Sequence, residues 1–326
     1  MTEAVRIQPV PEGMWTIGPD IVEFDEAGID TAVLEVSGGH LSWNLLGDTH
    51  TPAAVIDDVA RAQEWIWAIY GEVVSVALAD GAAGDFAAAP AVPEVARNAR
   101  RLAYALWASR WWPASTIDAI PPLDRTLLSG EIVDLVSACD LLVDDDFVWD
   151  EPLLASKTSS RADDYALAAG SVTALRPEAV TLARGTGGTD WRRCPPGMLD
   201  ASERAVSWEI VREPGRTIAR VEVVAAPDAD IALPEHIRPR ATVDGVGIDL
   251  SLAGDVWRGE ALAPDAGSEA SVTVVVPGFG VHGRDEVGGR MIRDQVRDMV
   301  RRRLSNAAAD DLLLAEVAAA GSDTDF

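Results

Sequence analysis

The chain has 326 residues, a 48% hydrophobic composition and a formal net charge of −26 at pH 7. Its length exceeds that of a usual single core and predicts two or three domains, and its apolar content excludes wholesale disorder. The negative charge repels a polyphosphate backbone and anionic membranes, so we expect no nucleic-acid or membrane partner, and any protein partner should be neutral or basic.

The rare residue types indicate an intracellular bacterial protein without a bound metal. Cys139 and Cys194 are the two cysteines, too few for a disulfide framework or a thiolate zinc site. Lys157 is the one lysine among 27 basic residues, a bias typical of GC-rich genomes. The N-terminus lacks the basic segment followed by an apolar core that an export signal needs. We therefore expect a cytoplasmic protein with no cofactor and no metal site.

The first part of the chain predicts short strands. Residues 4–46 contain four β-like pieces separated by glycine and proline turns. A small sheet of this kind needs a covering layer. It either packs on the helices that follow or joins the later strands, and the sequence leaves both arrangements open.

Residues 51–80 predict a central helix. Thr51 and Pro52 are in the order typical of a helix start. From Trp65 to Ala79 the ionisable side chains are only Tyr70 and Glu72, so the helix should be buried within a helical domain. The apolar run is too short to span a membrane.

Further helices are predicted at residues 93–112, 123–143 and 162–175 by apolar residues spaced three and four apart. Trp111 and Trp112 lie where Pro113 ends the first of these helices. They either plug a helical core or line a ligand pocket. Cys139 falls on the apolar line of the second helix, which favours a core residue over a nucleophile.

From about residue 181 the apolar period changes to two, and several short strands separated by proline and glycine predict a β-sandwich. The cluster at residues 185–189 is interpreted as a linker, and helices are expected at residues 285–304 and 309–319. The predicted fold class is α+β, with N-terminal strands, a helical domain and an antiparallel β-sandwich closed by a helix. The predicted segments are residues 1–50, 51–180, 181–284 and 285–326.

Three features of the sequence are candidate chemical sites. The GFGVHG stretch at residues 278–283 follows a strand and precedes a helix, but no second strand with a ribose-binding acid follows it, which favours a hinge over a dinucleotide site. The acidic run from residue 144 to 151 fits no EF-hand spacing and is interpreted as a solvated loop. The four histidines show no metal-ligand spacing, and the sequence assigns no catalytic residue.

The helix at residues 285–304 carries an arginine row. Arg290, Arg293, Arg297 and Arg301 step by three, four and four, which places them on one face. Either these arginines bind an acidic partner, or they pair within the helix and dock it on the protein's own acidic surface.

Two longer phrases, LAYALWASRWWPAS and DWRRCPPGMLDASERAVSWEI, together with VVVPGFG, resemble segments of uncharacterised accessory proteins of high-GC actinobacteria. The resemblance covers about residues 100 to 280. It implies membership of a multi-protein system, including conflict systems with ATPases or proteases, and it assigns no activity and no site residue.

These observations favour a non-catalytic adaptor or scaffold component that binds another protein through the sandwich or the arginine-lined helix. One alternative is a hydrolase in which His40, His50 or His236 works with an aspartate between the domains. Another is a ligand-sensing module whose pocket contains Trp111 and Trp112.

Overall fold

A computed structural model gives the structure of the protein. It describes residues 3–18, 28–144, 179–227, 237–263, 270–280, 289–306 and 311–322. The chain divides into two compact units. Unit 1 comprises Met1–Trp112, Leu123–Glu151 and Met291–Phe326, and unit 2 comprises Pro113–Pro122 and Pro152–Arg290. Antiparallel sheets and helices occur together, which confirms the mixed α+β class.

Unit 1 contains a sheet and several helices. Its strands are β1 (Glu3–Pro9), β2 (Trp15–Ile17), β3 (Thr31–Val36), β4 (Gly39–Asn44), β5 (Ala53–Ile56) and β6 (Gly84–Ala88). Its helices are α1 (Val59–Tyr70), α2 (Glu72–Ala79), α3 (Pro93–Trp111), α4 (Arg125–Ala138), α5 (Gly289–Ser305), which enters the unit at Met291, and α6 (Leu314–Ser322).

The N-terminal strands form their own six-stranded antiparallel sheet, in the order β3-β4-β5-β2-β1-β6. One face of this sheet is apolar, and Ile7, Leu34, Leu41 and Ile56 on it are fully buried. Helix α3 contacts β3 and β4, and α1 contacts α3. The strands therefore pack on the helical part, which decides between the two arrangements that the sequence left open.

The predicted central helix is wrong at its start and at its middle. Residues 53–56 are strand β5, and the helix begins after Asp58, whose carboxylate accepts hydrogen bonds from the amides of Ala60 (2.9 Å) and Arg61 (3.1 Å). That carboxylate caps the helix in place of Thr51. Gly71 then separates α1 from α2 with a φ of 87°.

Other boundaries agree more closely with the sequence. Helices α3 and α4 lie within the predicted ranges, whereas strand β6, which lies between α2 and α3 in the chain, was not predicted. Helix α6 begins at Leu314, later than predicted, and helix α5 is described from Gly289 onward. The helix predicted at residues 162–175 lies outside the described residues.

Unit 2 contains two sheets. Its strands are β7 (Val180–Gly187), β8 (Val206–Glu213), β9 (Arg216–Val224), β10 (Arg240–Val243), β11 (Val246–Asp249), β12 (Ser251–Ala253), β13 (Val256–Leu262) and β14 (Val272–Val275). The five-stranded sheet has the order β12-β13-β9-β8-β7, and the three-stranded sheet has the order β11-β10-β14. Residues of both sheets, among them Ile210, Val221, Ile248 and Val274, share one buried core. This common core is that of a β-sandwich.

The glycine cluster predicted as a linker is in fact part of the sheet. Strand β7 runs through Gly185 to Gly187 and pairs with β8. A side chain at residue 185 would meet the ring of Trp208 at 2.6 Å, so glycine leaves room for the indole on the core side. The small residues alone predict a linker. The residue that decides their structure, Trp208, lies 23 positions later in the chain and is not part of the local pattern.

A buried aspartate joins two distant segments of unit 2. Asp200 is fully buried, and its carboxylate accepts hydrogen bonds from the Ser115 hydroxyl (2.7 Å), the Thr116 amide (2.8 Å) and hydroxyl (3.1 Å), and the Ser202 amide (2.9 Å). Because a buried charge needs such partners, this carboxylate holds residues 113–122 against the sandwich.

We expect Asp200→Ala to lower the free energy of unfolding by about 3 kcal/mol, because several donors would stay buried without an acceptor. Equilibrium urea denaturation measures this change. Asp249→Ala is the matched control, since Asp249 lies in the same unit with a side chain that is 86% exposed. Equal effects of the two substitutions would show that Asp200 does not hold the segment.

Candidate protein-binding surface

The structure places the predicted arginine row in several environments. Arg297 is only 3% exposed and pairs with Asp294 on the same helix. Arg301 pairs with Asp298 at 3.0 Å. These two pairs match the alternative in which the arginines pair within the helix.

The other two arginines of the row differ from these. The side chain of Arg290 is 75% exposed and lies 3.8 Å from the Glu203 carboxylate. Arg293 is half-buried. The row is therefore not one uniformly accessible basic face, and partner binding by these four residues stays a prediction.

The tryptophan pair lies at the end of α3. The Arg110 guanidinium lies over the Trp111 ring, 5.0 Å from its centroid, and the Trp112 amide donates to the Ala108 carbonyl at 3.1 Å. Both indoles are half-buried. A ligand pocket at Trp111 and Trp112 stays a prediction.

The histidines considered for a hydrolase have separate positions. His40 lies on β4 opposite Glu35, on the sheet face away from the core, and His50 is exposed. Burial lowers the pKa of His40, and the charge of Asp57 opposes this effect. His236 lies outside the described residues. Within the described ranges, no three His, Cys, Asp or Glu side chains are grouped to hold a metal ion.

The cysteines and the glycine motif are in packed surroundings. Burial raises the pKa of Cys139 and of Cys194 to about 12, so few thiolates form at neutral pH. A side chain at Gly280 would collide with the Arg192 carbonyl, which places this glycine where two backbones meet. Residues 281–283 of the motif lie outside the described part of the chain.

The feature that sequence reasoning missed is the outer face of α4. Its inner side buries Leu128, Ile132 and Leu135. Its outer side exposes Val133 (60% exposed) and Leu127, in addition to the polar residues Thr126, Asp134 and Ser137. Two large apolar side chains are therefore open on a helix side that usually carries polar residues.

Helix α6 has the same property. Its exposed residues are Leu314, Val317, Ala318 and Gly321, spaced as one helical stripe. Leu314 is 57% exposed. We call the combined outer faces the α4–α6 surface, which consists of Leu127, Gly130, Val133, Leu314, Val317, Ala318 and Gly321. Among the exposed described residues of the two helices, Asp134 is the one that carries a charge.

The two helices adjoin through a carboxylate. Helix α4 contacts α6, and Glu131 of α4 is only 6% exposed. Glu131 accepts a hydrogen bond from the Leu314 amide at 2.7 Å and another from Arg101 at 2.9 Å. Leu314 is at the N-terminal end of α6, where a backbone amide has no acceptor within the helix. The Glu131 carboxylate accepts a hydrogen bond from this amide, and its negative charge interacts favourably with the positive end of the helix dipole. Leu127, one turn before Glu131, therefore lies on the side of α4 that borders α6.

A second buried carboxylate completes the attachment. Glu316 is fully buried and accepts hydrogen bonds from the Tyr104 hydroxyl (2.8 Å), from Arg303 (2.8 and 2.9 Å) and from the Leu313 amide (2.8 Å). The last of these bonds is the reach-back of a capping box. The Arg303 guanidinium also lies 4.2 Å from the centroid of the Tyr104 ring. We call Arg101, Tyr104, Glu131, Arg303 and Glu316 the ionic cluster.

The titration of the cluster follows from its contacts. Burial, reinforced by the charge of Glu316, raises the pKa of Tyr104 well above its ordinary value. Burial alone lowers the pKa of Arg303, but the hydrogen bonds to Glu316 and the nearby negative groups outweigh it and raise the pKa. Tyr104 is therefore neutral and Arg303 charged at neutral pH, as their hydrogen bonds to Glu316 require.

Two signals in the sequence could have indicated this surface. Leu127 and Val133 of α4 are apolar but lie outside the line of Leu128, Ile132 and Leu135 that predicts the helix. Helix α6 contains one charged residue, Glu316, and the structure uses it internally. A surface helix of a globular protein normally has one apolar face and one polar face, and neither pattern matches this arrangement.

Comparison of this chain with known protein families, with curated proteins and with solved structures gives no match. Among the described residues, no helix is both long enough and apolar enough to cross a membrane.

Gly130 allows a test of the surface geometry. A side chain there would meet no atom within 4 Å, and glycine inside a helix is less stable than alanine. We expect Gly130→Ala to raise the free energy of unfolding by about 0.5 to 1 kcal/mol, as measured by urea denaturation.

Gly71→Ala is the contrasting variant, because residue 71 has a φ of 87° and its side chain would collide with the Ala89 carbonyl. It should lower stability by at least about 2 kcal/mol. A loss of stability in Gly130→Ala would show that α4 is covered at this point.

Proposed function

We propose that the protein is a non-catalytic adaptor or scaffold component that binds another protein through the α4–α6 surface. The observation that carries this proposal is the exposure of Leu127 and Val133 on α4 and of Leu314 and Val317 on α6, two helices in contact whose described exposed residues include one charged side chain, in a chain of net charge −26. Protein interfaces have cores depleted of charged residues, and contiguous exposed apolar patches mark such sites.

The rigidity of the surface supports the proposal. Association loses free energy when flexible groups become ordered. The ionic cluster already fixes α6 against α3 and α4 in the free protein, with bonds from Glu131 to Leu314 and from Glu316 to Leu313. While α6 is attached, Leu314 and Val317 are therefore presented in a set position.

The chemistry of the partner follows from charge. A second copy of this chain would bring another −26, and the resulting repulsion opposes self-association at a surface that carries almost no compensating charge. A neutral or basic protein avoids that repulsion. We propose an apolar face on such a protein, within a bacterial multi-protein system of the kind that the sequence resemblance implies.

Substitution of the exposed valines tests this function. Val133→Glu and Val317→Glu should each weaken binding at least 100-fold, because the new carboxylate would be desolvated without a partner. Stability of the free protein should change by less than about 0.5 kcal/mol, since both side chains are exposed. Tagged full-length protein from the native host, with quantitative mass spectrometry of co-purifying proteins, identifies the partner, and calorimetry with the purified pair gives the affinity.

Val76→Glu is the matched control. Val76 on α2 is 52% exposed, between the 60% of Val133 and the 45% of Val317, and it lies outside the α4–α6 surface. Binding should survive this change. Retention of the partner by the Val133→Glu, Val317→Glu double variant would overturn the proposal. A wild-type dimer in light scattering that the double variant converts to a monomer would assign the surface to a second copy instead.

A further inference from the structure

The attachment of α6 to the rest of unit 1 buries charged side chains. The bonds that hold it come largely from charged side chains: Arg303 and Glu316, Arg101 and the Leu312 carbonyl (2.8 Å), and Glu131 and the Leu314 amide. Arg303 also bonds to the Asp311 carbonyl and carboxylate, both at 3.1 Å. The segment is thus held by a set of ionic contacts at its N-terminal end.

The apolar contribution of the segment comes from two leucines and two alanines. Leu312, Leu313, Ala315 and Ala319 face inward, and two of these four side chains are single methyl groups. The larger side chains of the helix itself, Leu314 and Val317, face outward. Helix α6 has nine residues, which is too short to remain helical when detached.

Release of the segment would expose to water several charged side chains, which water solvates well. Arg101, Glu131 and Arg303 regain hydration on opening, and this gain offsets much of the lost ion pairing, because burial of charges carries a large desolvation penalty. Of the cluster, Tyr104 alone would expose an aromatic ring. Opening of α6 therefore requires far less free energy than unfolding of the sheet and helices α1 and α3, which share the apolar core of the unit.

We infer that residues 311–322 form a releasable strap, which detaches and unfolds as a unit while the rest of unit 1 stays folded. The ionic cluster is its fastening. Detachment removes Leu314 and Val317 from the α4–α6 surface, so the strap would control whether that surface is complete. This last consequence rests on the proposed function, whereas the detachment itself does not.

Hydrogen exchange of the full-length free protein, read by mass spectrometry at peptide resolution, tests the strap without any partner. Amides of residues 315–321 should exchange at least 100-fold faster than those of residues 102–108 in α3. They should do so in the absence of denaturant, with the α3 amides still protected. Exchange of both segments at the same rate, as in opening by global unfolding alone, would overturn the inference.

Variants of the fastening complete the test. Glu316→Gln should increase exchange in residues 315–321 by at least tenfold and leave α3 unchanged, and Tyr104→Phe, which removes a single donor to Glu316, should give a smaller increase confined to the same segment. Asp134→Asn is the matched control, since it also converts a carboxylate to an amide but lies outside the cluster, and it should have no effect. An increase in α3 equal to that in α6 for both cluster variants would show that the cluster supports the whole unit and that no separate strap exists. Because no partner is present, failure here would leave the proposed function standing.

Discussion

The C-terminal organisation of unit 1 depends on one buried carboxylate. Glu316 is fully removed from water, where an ionised group is very unfavourable unless hydrogen bonds replace its hydration. Tyr104 and Arg303 supply those bonds from two other helices, and the Leu313 amide supplies another from its own helix turn. Helix α6 can lie in only the one orientation that satisfies all of them. That orientation turns Leu314 and Val317 outward.

Unit 2 uses the same device for a different purpose. Asp200 gathers donors from Ser115 and Thr116, which lie more than 80 residues earlier in the chain, and so assigns that short segment to the sandwich. In both units a fully buried acid fixes the position of a separate chain segment through directional hydrogen bonds. Directional bonds here specify position, while the apolar cores supply most of the stability.

The sequence predicted what local periodicity controls. The α+β class, helices α3 and α4 and most strands of the sandwich follow from spacings of three to four or of two. Errors arose where a partner from elsewhere decides the structure, as with Trp208 over Gly185, or where a second cap competes, as with Asp58 against Thr51. The bond from Tyr104 to Glu316 spans 212 positions, so no local pattern could have indicated the ionic cluster.

The exposed faces of the two larger sheets can be compared with the α4–α6 surface. On the face of the unit 1 sheet away from the core, Arg6 pairs with Asp85 at 2.7 Å, and on the corresponding face of the five-stranded sheet Arg220 pairs with Glu209 and Glu260, each at 3.1 Å. These ion pairs place charge on both faces, where apolar side chains favour edge and face association, although Leu262 on the second face is also 62% exposed. Helices α4 and α6 could carry the same charges at no cost in helix propensity, since Glu and Arg are good helix formers. Solvation alone therefore does not account for leucine and valine at these positions, which is why we propose a covering protein there.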